Sequence, residues 1–212
     1  LHLNASDSTS YGGTGTTWTD ISGNSNDGTI SGSPTYDRDN GDYFDLDGST
    51  TDLVTVSHNT ALDITSAGLT VEAWVNPDDL AFNTLIAKYS SYLAAADGYA
   101  LAFNVGDIFW RSYSNGSSIG TCNYTTGQVA TANTWHHIVG TVSGSASGST
   151  MKLYQNGELL NTTTTGGTYV PNTHNLEIGG YSNQLNRNLD GKLGTVRVYS
   201  KALSASDIGQ NY

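Results

Sequence analysis

Three kinds of side chain in this sequence could do chemistry: carboxylates, a pair of histidines, and aromatic rings set among small polar residues. Cleaving a glycosidic bond takes an acid and a partner carboxylate about 5–10 Å apart. The glutamates are Glu72, Glu158 and Glu177, far apart along the chain. Asp45 and Asp47 alternate within a strand-like run, so their side chains share a face. His136 and His137 are adjacent in such a run and point to opposite faces, so they cannot hold one metal ion together. No Gly-x-Ser-x-Gly elbow occurs between a strand and a helix, so a hydrolase nucleophile of that kind is not visible. Sugar recognition fits the residue types better. A pyranose offers an apolar C–H face for stacking on a ring and a polar edge for hydrogen bonds. Of the 13 Tyr, many are flanked by Ser, Asn and Gly, a composition common at adaptable binding surfaces. The candidates are Trp110, Tyr113, Tyr89, Tyr92 and Tyr124. On its strand Trp110 shares a face with Ser112, opposite Phe109, Arg111 and Tyr113.

Charge narrows the partners. The 212 residues carry 8 Lys+Arg against 19 Asp+Glu, a formal net charge of -11. Nucleic acid is excluded as a partner, because phosphate binding needs a basic face. No apolar run reaches transmembrane length, so membrane insertion is not expected. The single cysteine, Cys122, rules out an intramolecular disulfide. Four Asn-x-Ser/Thr triplets, at Asn4, Asn115, Asn123 and Asn161, matter only where the chain meets a glycosylating host.

The elements that must position these residues are short strands. The first forty residues are turn-rich, with Trp18, Ile21 and Ile30 expected to pin them to a core. Strand patterns follow at 43–47, 53–56, 69–75, 84–89, 99–104, 107–113, 135–142, 150–154, 159–160, 176–178 and 193–199. Gly48 and Val105-Gly106 mark turns, and Asn156-Gly157 is a strong hairpin signal because both residues tolerate positive φ. Helical patterning is confined to 203–208, with Ser204 as N-cap and an acid three residues on, and to Leu93–Ala96. The pattern predicts an all-β, two-sheet antiparallel sandwich. One domain over 1–212, part of a longer chain, is expected, since such sandwiches run past 200 residues as one unit.

Several segments occur in the order seen in one known family. Phe44-Asp45-Leu46-Asp47-Gly48, Leu69 to Val75, Trp135-His136-His137-Ile138-Val139, Leu153-Tyr154-Gln155-Asn156-Gly157 and Leu189 to Ser204 resemble the strand signatures of laminin-G-like domains. These belong to the concanavalin-A-like lectin and glucanase superfamily. The resemblance implies a jelly-roll sandwich in which Trp18, Trp74 and Trp135 serve packing and Asp45 and Asp47 a structural role. Related hydrolases carry Glu-x-Asp-x-x-Glu on one strand, and this chain has no such motif. Many relatives hold a calcium ion at the sandwich rim, which implies Asp20, Asn24, Asp47, Asp52 and Asp190 as candidate ligands. Where many relatives read Ile-Asp-Glu-Val in the closing strand, this chain has Leu193-Gly194-Thr195-Val196 and lacks that carboxylate. Trp18 to Asn24 and Ile208 to Tyr212 are also similar to stretches in tailed-phage structural proteins.

The expectation is a non-catalytic recognition or adhesion module on an extracellular or virion surface, binding a glycan or a surface protein. The alternatives are a decoration or fibre subunit that self-assembles into a virion or filament and, behind it, a glycoside hydrolase or lyase.

Overall fold

In the computed structural model, residues 1–39, 41–89, 97–124, 130–182 and 187–212 are described. Tyr92 and the helical pattern at Leu93–Ala96 lie outside them. The strands in chain order are β1 (His2–Asn4), β2 (Thr17–Trp18), β3 (Gly28–Ser31), β4 (Thr35–Asp37), β5 (Tyr43–Asp47), β6 (Leu53–Val56), β7 (Leu69–Pro77) and β8 (Asn83–Tyr89). They continue as β9 (Gly98–Asn104), β10 (Asp107–Ser114), β11 (Ser117–Tyr124), β12 (His136–Val142), β13 (Thr150–Gln155), β14 (Glu158–Thr164), β15 (Leu176–Ile178) and β16 (Asp190–Tyr199). One helix, α1 (Ala205–Asn211), closes the chain. Ser204 caps it in a reciprocal capping box with Asp207, as the sequence predicts.

The strands form two antiparallel sheets of eight. The first runs β14-β13-β12-β7-β16-β5-β4, with β1 added on β16; the second runs β11-β10-β9-β8-β15-β6-β3-β2. Alternation explains how they face each other. Leu69, Val71, Ala73 and Val75 of β7 point inward, and so do Tyr99, Leu101 and Phe103 of β9 and Ile108 and Trp110 of β10. The intervening residues form the outer faces.

Three hairpins set the register. Val105-Gly106, Asn115-Gly116 and Asn156-Gly157 each have two successive positive φ values, the type I′ turn whose twist matches that of paired strands. The first two make β9, β10 and β11 a continuous meander, in which Phe109 lies opposite Ala102, Arg111 opposite Ala100 and Tyr113 opposite Gly98. The strand β11 carries no clear apolar alternation and was not anticipated. It is held by its pairing with β10, and a Cβ at Gly120 would stand 2.3 Å from Met151 Sδ, so a larger residue there would push Met151 aside.

The first forty residues form four short strands rather than turns alone. Trp18 and Ile30 enter the core as expected, whereas Ile21 stays half-buried outside it. Among the described residues no helix is long and apolar enough to cross a membrane.

Candidate functional site: an aromatic trough on the outer face of the second sheet

Trp110 corrects the sequence reading. Its face of β10 is the core face, and the side chain is fully buried. The indole Nε1 donates to the Thr141 carbonyl at 3.0 Å across the sandwich, and a Cβ at Gly140 would lie 2.6 Å from the ring. A residue so enclosed cannot stack on a ligand. Tyr124 lies opposite Ile108, half-buried against the same core, and does not join Tyr89 and Tyr113.

Tyr89 and Tyr113 do come together. The register places both opposite Gly98, one on each side, and a residue without a side chain leaves room for the two rings to meet. Their centroids are 4.9 Å apart, and Tyr181 adds a third ring 5.8 Å from Tyr89. The Tyr181 hydroxyl donates to the Tyr89 carbonyl at 3.1 Å, which fixes this end.

A second aromatic group lies along the same face. Phe82 and Phe109 are 5.4 Å apart. The Arg187 guanidinium lies over Phe82 at 4.1 Å and that of Arg111 over Phe109 at 4.2 Å. Arg187 is held by its carbonyl, which accepts from Thr84 N at 2.9 Å. Phe109 and Tyr113 sit about 13 Å apart on one strand face. Between the two groups the floor consists of Ala87, Ala100 and Ala102. Small floor residues between large walls make a shallow trough of about 40 Å³, open to solvent.

Of these residues, Tyr89 and Tyr113 were identified from sequence. Phe109 and Arg111 could have been, because their alternation with Tyr113 already put them on one face. Phe82, Tyr181 and Arg187 come from distant segments and carried no local signal.

A larger cleft lies between β1, β16 and α1 and is lined by His2, Asn24, Arg197, Tyr199 and Asn211 among others. Its polar groups are largely bonded to protein. Arg197 Nη1 donates to Glu72 Oε1 at 2.7 Å, and Asn211 Nδ2 donates to Glu72 and to Tyr199 Oη.

The expected calcium ligands do not form one site. Asp20 is buried, and its carboxylate accepts from the backbone amides of His2, Ser22 and Asn26. These bonds hold its pKa below the usual value, although burial pushes the other way. Asn24 is exposed and donates to Ser22 Oγ. Asp47 and Asp52 each accept a backbone amide, from Ser49 and Ser33. Asp190 pairs with Asp47 across β16 and β5. His2, to which Asp20 is bonded, pairs with Arg197 at the far end of β16. That separation is roughly 20 Å at a strand's rise per residue. No group of three or more His, Cys, Asp or Glu side chains converges on an ion site among the described residues. The five candidates thus divide between two ends of the sandwich, Asp20 and Asn24 at one and Asp47, Asp52 and Asp190 at the other. At the position of the acidic pair found in relatives, Gly194 and Thr195 form an irregularity in β16. There Gly194 O accepts from Ala5 N, and Thr195 Oγ1 bonds Asn4.

The carboxylates that hydrolysis would need are dispersed. Glu72 is on the outer face of the first sheet, Glu158 at the turn into β14, and Glu177 on the second sheet. Asp45 and Asp47 share the outer face of β5 at the rim. Burial raises the Asp45 pKa, and bonds from Ser49 lower that of Asp47. His136 and His137 point to opposite sides: His136 Nδ1 pairs with Gln155, while His137 stacks on Trp74 at 5.2 Å. Trp74 and Trp135 do serve packing, but on the outer face. Trp74 stacks on Tyr212 at 5.7 Å, and Trp135 meets Tyr43 at 5.9 Å.

The family model described as "Concanavalin A-like lectin/glucanases superfamily" matches residues 47–209. The chain belongs to this superfamily. Its members share the two-sheet sandwich seen here, and its description names both lectins and glucanases. No curated protein matches the sequence. Among solved structures, the botulinum neurotoxin serotype D binding domain is similar at a TM-score of 0.72 and 20% identity, covering 100% of this chain and 50% of that one. The binding domain of Paraclostridial Mosquitocidal Protein 1 is similar at 0.69 and 16% identity, covering 91% of this chain and 48% of that one. A third is the binding domain of botulinum neurotoxin DC in complex with rat synaptotagmin II, at 0.73 and 16%, with 100% and 50% covered. The chain thus spans about half the length of these solved structures. At such identities the likeness fixes the fold and not the ligand.

Proposed function

We propose that this chain is a non-catalytic carbohydrate-recognition module of an extracellular protein, and that the aromatic trough is its sugar site. One observation carries the reading: Tyr89 and Tyr113, both half-buried, stand 4.9 Å apart on the outer face of the second sheet, backed by Tyr181. A partly exposed tyrosine ring suits the apolar face of a pyranose and leaves the sugar's polar edge in water. Lectin-type folds support the reading, as does the role of the similar solved structures as binding domains.

The test is a glycan array followed by calorimetry on the wild type, Tyr113→Ala and Tyr89→Ala. We expect specific glycan binding that either substitution weakens by about tenfold or more, the loss of one stacking face at roughly 1.4 kcal/mol. A wild type that binds no glycan, or variants that bind as well as it does, would overturn the proposal.

A further inference from the structure

We propose that Lys88 and Asn172 close an intramolecular amide cross-link, an isopeptide bond, with Asp63 carrying the protons. The site lies on the core side of β8, on the face opposite the aromatic trough.

Lys88 sits where a lysine is costly. Strand alternation turns Tyr89 outward and Lys88 inward, opposite Tyr99 of β9, and the side chain is fully buried. Taking an ammonium out of water is unfavourable unless close partners compensate. Its Nζ donates to Asp63 Oδ1 at 2.7 Å and to the side-chain and backbone carbonyls of Asn172 at 2.9 Å each. Asp63 and Asn172 are 25 and 84 residues from Lys88 in sequence, so folding is what brings the three together.

The arrangement holds a nucleophile, a base and an amide in contact. Burial lowers the Lys88 pKa, although Asp63 pushes it the other way. A desolvated lysine gives up a proton more readily and becomes a nucleophile. Asp63, itself buried, is within reach to take that proton. With Nζ 2.9 Å from Oδ1, the carboxamide carbon Cγ stands within about 4 Å of the amine. Oδ1 also accepts from the His174 amide at 3.0 Å, a donor that steadies the negative charge this oxygen takes up on attack. Asn172 Nδ2, the leaving group, donates to the Asp97 carbonyl at 3.1 Å. Gly98 makes room for it, since a Cβ there would lie 3.0 Å from Nδ2.

The step balances without a co-reactant. The bond from Lys88 Nζ to Asn172 Cγ forms, and the Cγ–Nδ2 bond breaks. Of the three ammonium protons, one stays on the new amide nitrogen and two leave with Nδ2, which departs as ammonium. Asp63 relays those protons and ends as it began. Asn172 is only half-buried, which opens a route to solvent.

A cross-link of this kind suits the chain. Its single cysteine leaves it without an intramolecular disulfide. The new bond ties β8 to the segment entering β15, its neighbour in the sheet, and closes a loop spanning 84 residues. Closing a loop of that length restricts the unfolded chain.

The experiment is intact-mass spectrometry of the purified full chain, followed by peptide mapping. The wild type should be lighter than its sequence by one ammonia, and a tryptic digest should yield a branched peptide joining the Lys88 and Asn172 segments. Lys88→Met and Asn172→Ala, each first checked for a native fold, should keep full mass. Asp63→Asn should be isolated mainly at full mass, since losing a general base slows a reaction by about a hundredfold or more. Folded wild type that stays at full mass through prolonged incubation at neutral pH overturns the proposal, and that result needs no variant to fold. So does an ammonia loss that maps to Asn115 or Asn156, where an asparagine before glycine can cyclise on its own backbone. Complete cross-linking in Asp63→Asn overturns the role given to Asp63.

Discussion

The indole of Trp110 occupies the space that a side chain on Gly140 would need. A Cβ there would stand 2.6 Å from the ring, well inside contact distance, and the indole N–H donates to the next carbonyl, that of Thr141. The two sheets thus lock where the largest residue of one meets the smallest of the other. Gly140→Ala should destabilise the fold by about 1–3 kcal/mol through overpacking. Trp110→Ala should cost about 3–5 kcal/mol through the cavity it leaves. Urea unfolding would read both. Trp110→Phe, which keeps most of the volume, should retain sugar binding because the ring faces away from the trough.

Glu72 gives an acid-sensitive contribution. Burial pushes its carboxyl pKa up, yet bonds from its neighbours hold it below the ordinary 4.5. Arg197 at 2.7 Å and Asn211 at 3.0 Å provide hydrogen bonds, whereas His137 at 3.6 Å is beyond that range. A carboxyl with a depressed folded pKa stabilises fully above the unfolded pKa, and the effect fades as pH falls through the folded one. Stability should therefore hold above about pH 4.5 and drop below it. Glu72→Gln should cost about 3 kcal/mol at pH 7, and the difference from wild type should shrink at acid pH. Urea midpoints measured from pH 3 to pH 7 would show this convergence, and parallel curves would refute it.

Lys88 is fully buried on the core side of β8, with its ammonium 2.7 Å from Asp63 and bonded to both oxygens of Asn172. Removing one partner strands the other charge in the interior. Lys88→Met alone should cost about 3–5 kcal/mol, and adding Asp63→Asn should recover part of it. Thermal melts of the two single variants and the double variant would measure the coupling. Simple additivity would mean that the pair does not act as a unit.

Calcium should leave the protein's stability unchanged. A ligand that binds only the folded state raises the melting temperature by mass action. Asp20, Asp47 and Asp52 are already engaged by backbone amides, and Asp20 lies far from the other two. Scanning calorimetry with millimolar calcium and with a chelator should give the same melting temperature, and a calcium-dependent rise of several degrees would sink this reading.

The sandwich was legible because its long strands alternate. In β7 the inward residues Leu69, Val71, Ala73 and Val75 are apolar and the outward ones mostly are not, so period and burial agree. What hid was whatever depended on pairing. The strand β11 looks polar in isolation and is fixed by its pairing with β10. Trp110 looked like a binding residue because, unlike Trp18, Trp74 and Trp135, it falls on no packing position that the family resemblance implies, and Gly140, thirty residues on, is what makes room for it. The trough was half visible. Tyr113, Arg111 and Phe109 alternate on one strand, but Phe82, Tyr181 and Arg187 reach them only through the strand order β10-β9-β8-β15. Calcium was expected by likeness to relatives, and the bonding of Asp20 to three amides could not be read from its position in a Gly-rich turn.

The alanine floor has a consequence for how such a protein diversifies. Ala87, Ala100 and Ala102 set the depth of the trough, while their strand neighbours Leu101 and Phe103 on β9 hold the opposite face in the core. Period-two alternation uncouples the two jobs. Ala100, the most open of the three, can gain or lose a methyl group without altering how the sheets meet beneath. The same scaffold could therefore be retuned from one ligand to another by a few outward substitutions, with the fold's stability left almost untouched.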